Sequence, residues 1–222
     1  MSDDRVTMST ERLLAWSEYS STEPAQWLAP FAYPHVYDQE GHAWMSSVFD
    51  TTVRILHPAH YGQNLVRWHD VATFYGTVLT PTSRFDQLVG DQPANVFDNV
   101  YDRYPSLGGP PHEVLRPLEE LLADAAQFGL IWEGIAEVSV EWKRAANVKG
   151  PDFTYRTARA DHNLPDFPNP YLCPNFWWSE DRTWCVATGI DSDSTLLATN
   201  DGAIVDAVLS DRRLETLSLR AE

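Results

Sequence analysis

Cysteine is scarce in this chain of 222 residues, which contains only Cys173 and Cys185. Two thiols are too few for a disulfide-dense scaffold or for a four-cysteine zinc site. A chain of this length can bury roughly 70% of its unfolded surface, so it needs neither device in order to fold. We therefore predict two reduced thiols, with a single disulfide between them as the alternative, and no cofactor.

Long apolar runs and an excess of cations are also missing. No stretch approaches the ~18 consecutive apolar residues of a membrane helix, and the acidic segment 1–21 lacks the apolar centre of a secretory signal. We therefore expect a cytoplasmic protein. The 32 acidic and 16 basic residues give a formal net charge of −16, which argues against nucleic acid or an anionic membrane as a partner. This charge favours solubility, a cationic partner, or mimicry of a polyanion.

The sequence has no glycine-rich phosphate loop, no GxSxG elbow and no HExxH zinc motif. His57 and His60 are three residues apart, but Pro58 between them predicts a loop and not a helical metal site. Asp191 and Asp193 have the spacing of a calcium loop, but the glycine and glutamate that such a loop needs further on are absent. We predict no catalytic residue and no metal ligand.

Hydrophobic periodicity divides the chain into helices and strands. The predicted helices are residues 10–19, 68–75 closing at Gly76, 112–128 with Pro117 in the first turn and Gly129 at the end, and a helix capped by Asp201. The predicted strands are 44–56, 130–134, 135–143, 153–158 and 183–190, the last pairing with 195–199 across "DSDS". We predict an α+β fold, a mostly antiparallel sheet with helices packed on one face. Residues 1–222 form a single domain in this prediction, with a separate lobe at 1–90 as the alternative.

The stretch "PNFWWSEDRTWCVATGIDSD", residues 174–193, places three tryptophans beside four carboxylates. Trp184 shares a predicted strand face with Val186 and is expected in the core. Cys185 lies on the opposite face, where an inert buried thiol is expected and not a nucleophile. We expect Trp177 or Trp178 to be partly exposed, because tryptophan often anchors interfaces. The predicted binding site consists of Trp177, Trp178, Glu180, Asp181, Asp191 and Asp193.

The motif "PNFWWSEDRTWCVATGID", with the helix and "DRRLETL" that follow it, resembles an uncharacterised protein family of high-GC Gram-positive bacteria. Weaker likeness lies at "RILHPA", "RWHDVA", "RFDQLVG" and "LIWEG". The chain departs from that family after "STLL", where Ala198, Thr199 and Asn200 replace paired glycines. The resemblance implies no catalytic residue. At the level of the fold, the chain is also similar to α+β immunity proteins of the Smi1/Knr4 type.

Three functional hypotheses follow from the sequence. The leading one is a non-enzymatic cytoplasmic binding protein, of the immunity or antitoxin kind, which binds a basic partner such as a toxin through an acidic, tryptophan-bearing surface. The second is an enzyme or small-ligand-binding protein whose pocket is lined by Trp177, Trp178, His57 and Asp191. The third is an acidic mimic of DNA.

Overall fold

One large sheet contains most of the strands in the computed structural model, which describes residues 15–32, 44–61, 64–89, 105–122, 127–134, 143–150, 153–161 and 173–219. The strands are β1 (Ala15–Glu18), β2 (Thr51–Leu56), β3 (Ala59–Tyr61), β4 (Asn64–Val66), β5 (Gln127–Trp132), β6 (Asn147–Lys149), β7 (Thr154–Asp161), β8 (Phe176–Ser179), β9 (Trp184–Ala187), β10 (Ser194–Thr199) and β11 (Glu215–Leu219). The nine-stranded sheet has the order β1–β7–β5–β8–β9–β10–β2–β11, with β6 also paired to β7. Every pairing is antiparallel, and β3 and β4 form a separate hairpin.

Helices lie on both faces of this sheet. They are α1 (44–48), α2 (Trp68–Tyr75), α3 (Phe85–Val89), α4 (His112–Leu122) and α5 (Gly202–Ser210), and two 3-10 turns occupy Glu23–Ala25 and Ala29–Phe31. The first face packs against α4 and α5, and the second packs against the 3-10 turns and α1. A third cluster joins α2 and α3 to the end of β2. The predicted α+β class and antiparallel sheet are confirmed, and the second face of the sheet is covered as well.

The central hairpins of the sheet follow the predicted alternation. Trp184 and Val186 belong to the core on the first face, whereas Cys185 belongs to the core on the second face. β10 returns beside β9, with Leu196 opposite Ala187, so the predicted pairing across "DSDS" is confirmed. All residues of β8, β9 and β10 are buried, because strands in the middle of a sheet covered on both sides have no wet face.

Local signals correctly predicted several element ends. α2 stops at Gly76, which takes the left-handed conformation (φ 68°) that a C-terminal glycine supplies. Asp201 caps α5, because its side-chain oxygen accepts a 2.8 Å hydrogen bond from the backbone N–H of Ala203. β7 pairs with β6, with Val148 opposite Tyr155, although the sequence indicated a turn and not a strand at residues 148 and 149. Most of the strand predicted at 135–143 lies outside the described residues.

Four predictions about the positions of helices and strands are wrong. Residues 15–18 do not belong to a helix, because they form β1 and pair with β7, where Trp16 lies opposite Ala160 and is buried. Residues 44–48 are helical, so the predicted strand at 44–56 begins only at 51. α4 begins at His112, so Pro117 lies inside the helix and not in its first turn. Gly129 is inside β5 instead of ending a helix, so the predicted helix does not extend to residue 128.

Gly129 is required in β5 by close packing. A Cβ atom there would lie 2.8 Å from Cγ of Pro174 and 3.1 Å from Cζ3 of Trp16. The missing side chain therefore lets the Trp16 ring lie against the sheet. β1 and β2 both come from residues 1–90 and both belong to the common sheet. Among the described residues, no helix is long and apolar enough to cross a membrane.

Candidate functional site

The six predicted binding residues lie in two separate places. Glu180 and Asp181 belong to the turn between β8 and β9, whereas Asp191 and Asp193 belong to the turn between β9 and β10. Because β9 runs from the first turn to the second, the two carboxylate pairs lie at opposite ends of β9. They cannot contribute to one small site.

Trp177 and Trp178 are core residues, so their expected exposure is wrong. Each is only 1% exposed, and successive residues of β8 point to opposite faces of the sheet. Trp177 contacts Trp184 edge-on at 5.3 Å between ring centroids on the first face. Trp178 contacts Trp27 edge-on at 5.9 Å on the second face. The two rings cannot line the same pocket, and the hypothesis of a pocket shared by Trp177, Trp178, His57 and Asp191 loses its geometric basis.

The exposed turn between β8 and β9 is organised by its own polar side chains. The Ser179 hydroxyl oxygen accepts a 3.0 Å hydrogen bond from the backbone N–H of Thr183. Oδ1 of Asp181 accepts from the N–H of Thr183 at 3.1 Å and from its hydroxyl at 2.9 Å. The pKa of Asp181 is lowered below its ordinary value. The largest cause is a hydrogen bond with the Ser179 side chain, and the second largest is the hydrogen bond from the backbone N–H of Thr183. Asp181 is therefore engaged within the turn, while Glu180 points into solvent.

Arg182 completes this turn in an unusual backbone conformation. Its N–H donates to the carbonyl oxygen of Ser179 at 2.8 Å, and its φ is 60°. Four residues, 180–183, separate β8 from β9, and glycine is the usual choice where a turn needs a left-handed residue. A side chain in this conformation costs about 1–2 kcal/mol. Arg182 is thus an observed backbone outlier on an exposed turn.

The Arg182 side chain lies over a tryptophan that the sequence patterns did not single out. Its guanidinium carbon is 5.7 Å from the centroid of the Trp27 ring. Trp27 is half-buried and meets Trp44, Phe49 and Trp178 edge-on, at 6.4, 6.3 and 5.9 Å between centroids. We call Trp27 with Glu180, Asp181 and Arg182 the Trp27 surface. Trp27 lies in a segment without helix or strand periodicity, so only its residue type could have indicated a role.

Asp193 has a structural partner, the buried Arg54. Nη2 of Arg54 lies 3.3 Å from Oδ1 of Asp193, and the Arg54 side chain is fully buried. Nε of Arg54 donates to the Ser194 hydroxyl at 2.9 Å, and Nη1 donates to the carbonyl oxygen of Ser83 at 2.6 Å. The guanidinium also lies 5.3 Å from the centroid of the Trp68 ring. This cluster attaches the segment between α2 and α3 to the sheet.

His57 is held in one tautomer by two hydrogen bonds. Nδ1 lies 2.7 Å from the carbonyl oxygen of Ser106, and Nε2 lies 2.9 Å from the hydroxyl of Thr195. A carbonyl oxygen can only accept, so Nδ1 carries the proton and Nε2 accepts from Thr195. The Thr195 hydroxyl is in turn 2.8 Å from that of Thr188. Burial lowers the pKa of His57 to about 4, against the opposing effect of the Ser106 hydrogen bond.

The two cysteines are not joined by a disulfide, and they are buried on opposite faces of the sheet. Burial raises the pKa of the Cys185 thiol well above its ordinary value, so that thiol stays protonated at neutral pH. Among the residues that the structure describes, no group of three His, Cys, Asp or Glu side chains could hold a metal ion.

Comparison of the chain with protein-family models, with curated proteins and with solved structures finds no match. The resemblance to an uncharacterised family of high-GC Gram-positive bacteria, and the likeness to Smi1/Knr4-type proteins, therefore stay predictions. The candidate site depends on geometry alone: an exposed acidic turn beside a half-buried tryptophan that carries a cationic side chain on its ring.

Proposed function

We propose that this protein is a binding factor without catalytic activity, which recognises a basic protein partner in the manner of an immunity protein or antitoxin. The observation that supports this most directly is the Trp27 surface, where Glu180 and Arg182 are exposed beside a tryptophan held by aromatic neighbours. Tryptophan and arginine are the residue types that dominate binding energy at protein interfaces. The acidic, tryptophan-bearing surface of the hypothesis is thus assigned to Trp27 in place of Trp177 and Trp178.

The overall charge supports a basic partner. A formal net charge of −16 gives the chain a long-range attraction for a cationic protein, which raises the rate of encounter at low salt. Glu180 would contribute directly at the Trp27 surface, because it is exposed, whereas the Asp181 carboxylate is occupied by Thr183. The DNA-mimic hypothesis would use the same charge and stays a prediction.

His57 and Cys185, two residues of types that can carry out acid–base or nucleophilic chemistry, have structural roles. His57 is buried between Ser106 and Thr195, and its lowered pKa keeps it neutral above about pH 4. Cys185 is 0% exposed and has a raised pKa. These two groups are therefore unsuited to react with a substrate in solution, which favours a binding role.

Affinity capture with matched charge variants tests the proposal. Immobilised protein is compared with Glu180→Arg and with Asp206→Arg, which makes the same charge change at an exposed position of α5. We expect a partner identified by mass spectrometry to be retained at 50 mM but not at 500 mM salt. With the partner then purified, Glu180→Arg should slow association about tenfold at low salt, because a charge at the site steers encounter. The proposal fails if no protein is retained at low salt, or if both variants weaken binding equally.

A further inference from the structure

One face of the Trp27 ring already carries a cation from the chain itself. The guanidinium of Arg182 lies 5.7 Å from the ring centroid, within the range in which a cation is attracted to an aromatic face. The ring is fixed from other directions by edge-on contacts with Trp44, Phe49 and Trp178. The contact with Arg182 therefore shows that the face of the Trp27 ring accepts a cationic side chain.

Arg182 reaches this place in a backbone conformation that costs free energy. Its φ of 60° lies in the left-handed region, where turns favour glycine. Within the described part of the chain, its guanidinium makes no ion pair, although Glu180 and Asp181 precede it directly. A strained residue at an exposed turn is an indication of function that its fold-stabilising contacts do not account for.

The surroundings of the ring are suited to a second cation. Glu180 is exposed in the same turn, and the chain as a whole carries a net charge of −16. A lysine or arginine of a partner would make the same contact with Trp27 that Arg182 now makes. It would gain, in addition, the attraction of the Glu180 carboxylate.

We propose that the Trp27 surface is a docking site for a cationic side chain of a partner protein, and that Arg182 is a resident cation which this side chain displaces. The inference rests on the proposed function, because it names the group of the basic partner that the surface recognises. In the free protein, Arg182 covers the aromatic face. In the complex, the partner's cation lies on the Trp27 ring, next to the turn that carries Glu180.

The experiment measures binding of a small probe, N-acetyl-arginine amide, to the whole chain. Binding is followed by the backbone amide signal of Thr183 in a ¹H–¹⁵N NMR titration, because Thr183 belongs to the turn and follows Arg182 directly. Arg182→Gly removes the resident cation and places glycine where the backbone favours it, so this variant should fold with an unchanged or higher Tm. We expect Arg182→Gly to bind the probe about two- to five-fold more tightly than the original chain, the ratio that an exposed cation–aromatic contact provides.

Two controls separate the ring from general charge. Arg212→Ala removes an exposed cation elsewhere and should leave the affinity for the probe unchanged. Combining Arg182→Gly with Trp27→Leu should abolish the gain, and combining it with Glu180→Gln should reduce it. If Arg182→Gly folds poorly, Arg182→Asn serves the same comparison, since asparagine also tolerates the left-handed region.

The inference is overturned if Arg182→Gly shows no gain, if Arg212→Ala shows the same gain, or if the Trp27→Leu combination keeps it. It is also overturned if acetate binds the original chain at this turn and Arg182→Gly does not, because Arg182 would then itself recognise an anion. None of these results depends on a captured partner, so they are distinguishable from a failure of the capture experiment. Conversely, a gain for the probe without any captured protein would leave the docking site standing and the proposed function unsupported.

Discussion

Replacing Arg54 by alanine tests how the segment between α2 and α3 is attached to the sheet. The change removes a fully buried cation that interacts with Asp193, Ser194 and the carbonyl oxygen of Ser83. Breaking a buried ion pair by removing one partner costs about 3–5 kcal/mol, because the polar groups left behind stay desolvated. Asp193 is 21% exposed and can recover some hydration, so we expect about 3 kcal/mol, at the lower end of this range.

Equilibrium unfolding in urea measures this loss, provided that the m-value is unchanged. Asp193→Asn serves as the matched variant, because an amide oxygen can still accept from Arg54, and we expect it to cost about 1 kcal/mol. A double-mutant cycle of the two changes should give a coupling of at least about 0.5 kcal/mol, since the two side chains are in contact. A loss below about 1 kcal/mol for Arg54→Ala would show that this cluster contributes little to stability and would refute the reasoning.

Three further predictions concern the core and its edges. Gly129→Ala should destabilise the fold by about 1–3 kcal/mol in urea unfolding, because the new Cβ would lie 2.8 Å from Pro174; a neutral effect would mean that β5 can shift freely. The pKa of His57 is about 4 in the folded chain, against 6.5 in the unfolded chain. The stability that neutral His57 gives the fold is therefore fully present above pH 6.5 and is lost as the pH falls towards 4, by about 3 kcal/mol in all. The stability difference between the original chain and His57→Asn, measured from pH 7 to 4.5, should shrink accordingly, and a pH-independent difference would contradict the assigned burial. Glu215→Ala should lower the free energy of unfolding by about 1 kcal/mol in thermal denaturation, because the Glu215 carboxylate accepts a 2.7 Å hydrogen bond from the backbone N–H of Trp68 at the start of α2. Glu215→Gln should lose less, because its amide oxygen can still accept this hydrogen bond.

The sequence predicted the elements whose signals are local. The alternation in β9 and the N-cap at Asp201 each depend on residues within a few positions of one another, and both are confirmed. β1 was missed because four residues cannot display a periodicity of their own. Its strand conformation comes from pairing with β7, more than 140 residues away, and from the space that Gly129 leaves for Trp16. Contacts between residues so far apart along the chain cannot be predicted from a short window of sequence.

The binding residues were predicted less well, because exposure is a property of the whole fold. The pair Trp177–Trp178 follows a proline-rich segment and looked like an accessible strand entry. Both faces of the sheet are covered, however, so Trp177 is buried on the first face and Trp178 on the second. Trp27 lies in a segment without periodicity and gave no signal, and it became visible only through its contacts with Trp178 and Arg182. Glu180 and Asp181 lie on an exposed turn that no sequence pattern indicated, and Asp181 is used within that turn.

Arg54 and Arg182 show how burial decides what one residue type does in this chain. Both guanidinium groups lie over a tryptophan ring, at 5.3 Å from Trp68 and 5.7 Å from Trp27. Arg54 is buried, so its charge requires Asp193 and backbone carbonyl oxygens, and the cluster that results can only stabilise the fold. Arg182 is exposed, so water already solvates its charge and exchange for another cation is inexpensive. The contact between Arg54 and Trp68 is therefore a fixed attachment, whereas the contact between Arg182 and Trp27 is replaceable. Only the replaceable contact is suited to recognition.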